Sequence, residues 1–355
     1  MQKKPSQWWG IIGALLGTII YTVFIQPKYD PAVRQKEELN RSIQRIAANM
    51  EQSRKEAAAD LLAVLRPTVY TAGDYQYTIL KDGTAELASY TGKEKALEIP
   101  DEIDGYPLTG IGRKCFSGNE TLLRVTVPES VTTIGTQAFD SCTALQSVYL
   151  PDSVEDMSTF VFSHCTSLTA VRLPAGLTDI SMGMFQYCES LQNISLPPSV
   201  NHIDWMAFLC CSKLSGITIP DQVTYIPACA FGGCGSLSRV VIPECVTGIG
   251  DGAFEACVSL RSLRLPDQIE RIGTGAFMNC RNLNSINIPD HVTVIGKQAF
   301  SQCFALKSLT LQDSVSELGE NAFEKCDLLS LSVASGSFSE QYCIENNIRY
   351  TARRD

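Results

Sequence analysis

Residues 283–305 read LNSINIPDHVTVIGKQAFSQCFA. Leu283, Ile286 and Ile288 alternate along a run that ends at Pro289, the pattern of a half-buried strand. Proline at a strand end removes no essential ladder donor. Val292 and Ile295 make a second short extended run, turned by Gly296, and glycine admits backbone conformations that other residues resist. Ala299, Phe300 and Cys303 complete the unit. The same unit returns in both directions along the chain. Ten phenylalanines, from Phe116 to Phe323, recur every 23 residues without a slip. Nine of them, from Phe139 on, are followed after three residues by a cysteine (Cys142 to Cys326) and then by a leucine. A fixed period of this size is the signature of a solenoid. Each unit is too small to bury its own apolar face and must stack on its neighbours. Burying each phenylalanine contributes about 1.5–3 kcal/mol, so this column carries a large share of the stability.

Composition agrees with a folded chain. Of 355 residues, 45% are hydrophobic and 19% charged, too apolar for disorder. The net charge of −9 argues against a nucleic-acid partner, which selects basic surfaces. Nine of the fourteen cysteines hold one repeat position. Rungs about 4.8 Å apart lie within disulfide range, but side chains in one ladder position run parallel and a bond between them would be strained. The column therefore reads as mostly free, buried thiols that pack as small hydrophobes. Such an inventory is unexpected in an oxidising compartment.

Ahead of the repeats, residues 8–25 (WWGIIGALLGTIIYTVFI) carry no charge and reach about the minimum length for a membrane span. Trp8, Trp9 and Tyr21 stand near its ends, as interfacial aromatics do. No small-residue cleavage site follows, so the stretch reads as an uncleaved signal-anchor. Lys3 and Lys4 precede it, and Lys28, Arg34 and Lys36 follow. A short basic tail that stays inside would export the rest; the reverse orientation would make the chain a cytoplasm-facing scaffold. From Asp30 and Pro31 to Pro67, Leu39, Ile43, Ile46 and Met50 repeat four and three apart, predicting an amphipathic helix. It is either a simple stalk or, together with the Gly13/Gly17 GxxxG pair, a homodimer contact through a short coiled coil.

Tyr75 to Leu80 and Thr84 to Leu87 predict a hairpin around Asp82-Gly83. A strand over 97–100 and a turn at Asp104-Gly105-Tyr106-Pro107 follow. The organisation so read is a tail and signal-anchor in 1–27, a helical stalk in 28–67, an amino-terminal cap in 68–115, repeats in 116–334 and a carboxyl-terminal cap in 335–355.

The repeat, L-x-x-[VI]-x-[IL]-P-x-x-[VI]-x-x-I-G-x-x-A-F-x-x-C, resembles the BspA-like leucine-rich repeat family over about nine tandem copies. The segment from Ile99 to Leu108 is similar to that family's first repeat. Gly336-Ser337, Glu340-Gln341-Tyr342 and Glu345-Asn346-Asn347-Ile348 are similar to its terminal helix and last strand. The resemblance implies a right-handed repeat solenoid with a parallel β-sheet, here preceded by a transmembrane helix and a helical stalk. It also implies a single-pass cell-surface protein of a bacterium or microbial eukaryote, extracellular in its solenoid. Such proteins are associated with adhesion to host matrix proteins or to other cells. The family supplies no catalytic residues to carry over, and a cell-wall sorting motif is missing from the carboxyl end.

The residues themselves point away from chemistry. His164, His202 and His291 lie on different repeats without metal-ligand spacing, and no phosphate loop, nucleophile elbow or zincin motif occurs. No enzyme activity, metal or cofactor is expected. Binding is expected where the pattern breaks. The turn glycine is replaced by Ser158, Ser181, Asp204 and Pro227, and nearby polar positions become Phe160, Met182, Trp205 and Met206. With Tyr187 and Leu209 these either form an exposed apolar patch for a protein partner, or pack against the cap or stalk or repair the lost glycines. A second candidate is the outward column of the main strand, with Tyr149, Arg172 and Arg264, then Ser195, Thr218 and Val241, and with Arg239 and Arg261 beside it. That face is either a binding surface or plain solvated sheet.

Overall fold

The structure, a computed structural model, describes residues 68–353. The span expected over 8–25, its Gly13/Gly17 pair and the stalk over 28–67 lie outside the described residues. Among the described residues no helix is long and apolar enough to cross a membrane.

Each repeat forms one coil with two short strands. In the coil of residues 283–305 these are Ser285–Ile286 and Val294–Ile295. Stacking of coils turns them into two parallel ladders. In both, a residue pairs with its counterpart 23 positions on, as Ser147 with Ala170 and Arg271 with Val294. The interior holds the expected columns. Phe116 to Phe300 are each at most 1% exposed. Their rings stack from 4.9 Å between Phe116 and Phe139 to 5.6 Å between Phe300 and Phe323. Aromatic pairing of this kind adds about 0.5–1.5 kcal/mol per pair beyond burial.

All fourteen cysteines are free. Those of the column do more than fill space. Cys142 Sγ donates to the Phe116 carbonyl at 3.0 Å, and the same bond recurs in every coil up to Cys326 and Phe300 at 3.1 Å. Each phenylalanine carbonyl so served, from Phe139 on, also accepts the amide of the cysteine in its own coil, as Phe231 does from Cys234 at 3.2 Å. A carbonyl oxygen has two lone pairs, and the thiol occupies the second one where no water reaches.

The turn glycine serves a different purpose from the one expected. Gly296 does not have a positive φ; instead, a Cβ there would lie 2.6 Å from the Thr274 amide nitrogen and 2.7 Å from the Gly273 carbonyl carbon. Gly135, Gly250 and Gly273 face the preceding coil in the same way. Close backbone approach, not backbone freedom, selects glycine here. The left-handed residues come later in each coil, two per turn, as at Gln298 (φ 55°) and Gln302 (φ 63°).

The second ladder breaks at two of the four coils that lack this glycine, those of Ser181 and Pro227, while Ser158 and Asp204 keep the amide bond to Ile134 and Ile180. It is continuous over Tyr106–Ile111, Thr133–Ile134 and Asp156–Met157, then over Asp179–Ile180 and His202–Ile203, then from Tyr225–Ile226 to Glu317–Leu318. At Pro227 there is no N–H to make the bond that Gly250 makes to Ile226 at 2.7 Å. At Ser181 the hydroxyl instead bonds the Ser158 carbonyl at 2.6 Å. The opposite, turn side of every coil is uninterrupted. Phe160, Phe162 and His164 each donate an amide to the next coil, to Met182, Met184 and Gln186 at 2.8–2.9 Å, and this triplet recurs along the array.

Both ends are covered. Val69–Ala72, Tyr75–Ile79 and Ala85–Tyr90 form an antiparallel meander around the predicted turn, with Gly83 at φ 86°. Tyr90 places its ring 5.4 Å from Phe116, which closes the first end of the phenylalanine column. At the other end the helix Phe338–Glu345 starts at Ser337, whose hydroxyl accepts the Glu340 amide. Its Tyr342 meets Phe323 edge-on at 6.4 Å, donates to the Gly319 carbonyl and accepts the Ala322 amide. Arg349–Arg353 then extends the first ladder.

Candidate interaction surfaces

The pattern breaks around Trp205 lie on the turn side. Phe160 and Met206 occupy the left-handed position there (φ 59° and 56°), and Tyr187 the second one (φ 57°). Such conformations are unusual for bulky residues, and they lay the side chains along the coil stack rather than outward. The Phe160 ring covers Gly183, where a Cβ would collide with it. Leu209 Cδ1 packs against Gly232, and Tyr187 stacks on His164 at 4.7 Å between rings. Met182 and Trp205 sit on adjacent rungs, their carbonyls accepting from Phe160 and Gly183. All six residues are therefore half-buried rather than fully exposed.

Beside this cluster lie Cys210 and Cys229, both half-buried. Burial pushes the Cys229 thiol up to about 11 and raises Cys210 as well. Burial also raises Glu255, up to about 7. Among the described residues no group of three or more His, Cys, Asp or Glu side chains could hold a metal ion.

The second surface is the outward face of the first ladder. Tyr149 is 45% exposed, with the Arg172 guanidinium 5.6 Å from its ring centre. Arg172 also bonds both Asp152 oxygens, at 2.8 and 3.0 Å, and holds that carboxyl below its usual range. Arg264 pairs with Glu244 and stands 3.9 Å from Asp267. Arg239 and Arg261 have no ion-pair partner among the described residues. Of the five candidates on this face, the structure brings Tyr149 and Arg172 together, places Arg261 and Arg264 on either side of the strand Ser262–Leu263, and leaves Arg239 on the coil before it.

The face is not continuous. Expected at Ser195 is a strand residue, yet residues 191–197 form no strand, and the first ladder stops at Ala170–Arg172 and resumes at Gly216–Thr218, with shorter interruptions after Arg239–Val241 and after Ser285–Ile286. Asn193 and Gly216 hold aligned positions on adjacent coils, and both are poor strand formers. Leu196 and Pro197 each precede a proline, a further constraint on this stretch. An open depression of about 920 Å³ lies over this gap, lined by Ile194, Leu196, Ser215, Thr218, Asp221 and Arg239 among others.

Residues 109–238 and 224–349 match the family described as BspA type leucine rich repeat region, in 6 copies. The chain belongs to the BspA-type leucine-rich repeat family. No curated protein is significantly similar to it. Among solved structures, a leucine-rich cell surface protein of Faecalibacterium prausnitzii is 28% identical, covering 81% of this chain and 96% of its own, with a TM-score of 0.50. A leucine-rich repeat protein of T. pallidum is 31% identical over 61% of this chain and 91% of its own, again at 0.50. One from Bacteroides ovatus, 21% identical over 80% and 100% with a TM-score of 0.53, shares the fold. This BspA-type chain is thus a repeat module of the protein-interaction kind. Its gap at 191–197 escaped the sequence reading, although Pro197-Pro198 and the Asn193/Gly216 pair were visible signals.

Proposed function

We propose that the chain is a membrane-anchored, outward-facing binding protein of the cell surface, held by residues 8–25 and presenting its solenoid to a host matrix protein or to a protein of another cell. The observation that carries this reading is how the side chains are used. The interior is consumed by stacking, and what remains is an interrupted sheet face bearing Tyr149 and several arginines. Likeness to a protein described as a leucine-rich cell surface protein supports the location. The cysteine column does not oppose export. Each thiol is buried and committed as a donor to a carbonyl, and from Cys165 on burial raises the thiol pKa, to about 12 at Cys280, so little thiolate forms there for oxidation.

A cytoplasm-facing scaffold is the second reading, favoured by the presence of fourteen free thiols. Protease shaving of intact cells, following an epitope at the carboxyl end, separates the two. Loss of the epitope is the expected result. Protection until lysis would overturn the outward orientation and leave the scaffold.

A further inference from the structure

The gap in the first ladder differs from the other interruptions of the sheet. Within the described residues, the backbone of residues 193–196 makes no hydrogen bond to any other backbone group. Ser215 N bonds Gln192 just before the gap, and Gln222 reaches Pro198 just after it. The strand Gly216–Thr218 pairs only with Arg239–Val241 and leaves its other edge open. Leu196 is lifted as well. Its counterparts from Val127 to Leu311 are buried, whereas Leu196 is half-buried; Ile194 is half-buried too, as are its counterparts Val171 and Val240. Open backbone donors and acceptors beside lifted apolar side chains are the two features that strand addition uses.

We propose that this opening is a docking slot for an extended segment of a protein partner, which adds its backbone to the open edge and sets an acidic side chain against Arg239. The inference rests on the protein-binding reading above and names the site and the kind of ligand. Charge placement supports it. Arg172 and Arg264 are occupied by Asp152 and Glu244, while Arg239, on the rim of the slot, has no carboxylate partner among the described residues. Arg239 aligns with Gly216, and Asp221 lies at the other end of the same depression. A segment running parallel to Gly216–Thr218 therefore meets Arg239 first and Asp221 last, which places its acidic residue in its leading half. Ser195, Ser215 and Asn193 line the slot between them beside Ile194 and Leu196, so its walls offer a peptide both polar and apolar contacts.

The test uses the intact chain as bait for short random peptides displayed on phage. Selected peptides are expected to carry a carboxylate in their leading half. They should slow amide exchange at Ile194 and Leu196, and lose about tenfold or more in affinity to the exposed-site variant Arg239→Glu. Methylating alternate backbone nitrogens of the peptide should abolish binding. No selected peptide, or peptides that bind Arg239→Glu equally well and leave exchange at 193–196 unchanged, would overturn the slot. Peptides lost instead to Trp205→Ser would move binding to the turn side, refuting the slot while keeping the protein-binding reading. The shaving experiment judges that reading's location separately.

Discussion

Replacing Gly273 by alanine measures how tightly the coils are stacked. An added Cβ would stand 2.6 Å from the Asp251 amide nitrogen, from Asp251 Oδ1 and from the Gly250 carbonyl carbon. Carbon contacts are optimal at about 3.5–4.0 Å, so the coils must separate by roughly 1 Å on this side. Overpacking of that kind costs about 1–3 kcal/mol. The shift also stretches the bond from Gly273 N to Ile249 O, now 2.8 Å, whose loss adds about 0.5–1.5 kcal/mol. The expected destabilisation is about 2–4 kcal/mol by these two terms, with faster amide exchange at Gly273 and little change several coils away. Gly176→Ala is the companion. Nothing lies within 4 Å of the Cβ it would add, and it is expected to be neutral or stabilising by up to about 1 kcal/mol. Urea unfolding of both variants with exchange read by mass spectrometry is the assay. Equal midpoints for Gly273→Ala and the unaltered chain would refute the close-approach explanation of the glycine column.

Other consequences are as direct. Cys257→Ala should cost about 1–3 kcal/mol, since it removes a buried sulfur and leaves the Phe231 carbonyl one donor short; Cys257→Ser, which keeps a donor, should cost less, and the reverse order in denaturant midpoints would contradict the thiol's role. A thiol reagent should modify at most Cys210, Cys229 and Cys245 quickly in the native chain, because the other cysteines are buried; rapid reaction of further thiols would show the column to be open. Tyr342→Phe should lower stability by about 1–2 kcal/mol, and unchanged exchange at Ala322 would count against the tyrosine as the lock of the carboxyl-terminal cap. Burial raises Glu255 from 4.5 to about 7 in the folded chain. The folded state thus holds this proton more tightly than the unfolded state. The associated stability is present in full below about 4.5 and is lost as pH rises through 7. Glu255→Gln should flatten that part of a pH–stability profile, and an unaltered profile would dismiss it.

The fold was legible because its signal is periodic. Phe300, Cys303 and Leu306 repeat as a set, and only stacking of identical coils satisfies that set. The hairpin at Asp82-Gly83 and the terminal helix were legible for local reasons, a turn pair and a capping serine. What the period could not show is what differs between coils. Gly296 looked like a turn residue because glycine has two uses, and only the neighbouring backbone tells them apart. Phe160 looked outward because its position is polar elsewhere, but its ring lies on Gly183 of the next coil. The opening at 193–196 depends on Asn193 meeting Gly216, a pairing between coils that no single repeat contains.

The three amide bonds per coil on the turn side run without a break, while both strand ladders are interrupted. A stack joined more firmly along one side than the other behaves as a bookbinding, with pages that open away from the spine. Bending should therefore be easier in one plane than in the other, and strain along the axis should gather at the interrupted coils, near residues 180 and 227 in one ladder and near 195, between 241 and 262, and between 286 and 308 in the other. A stack pulled from its two ends would yield there first, splaying its sheet side while the spine keeps the coils in order and ready to close again.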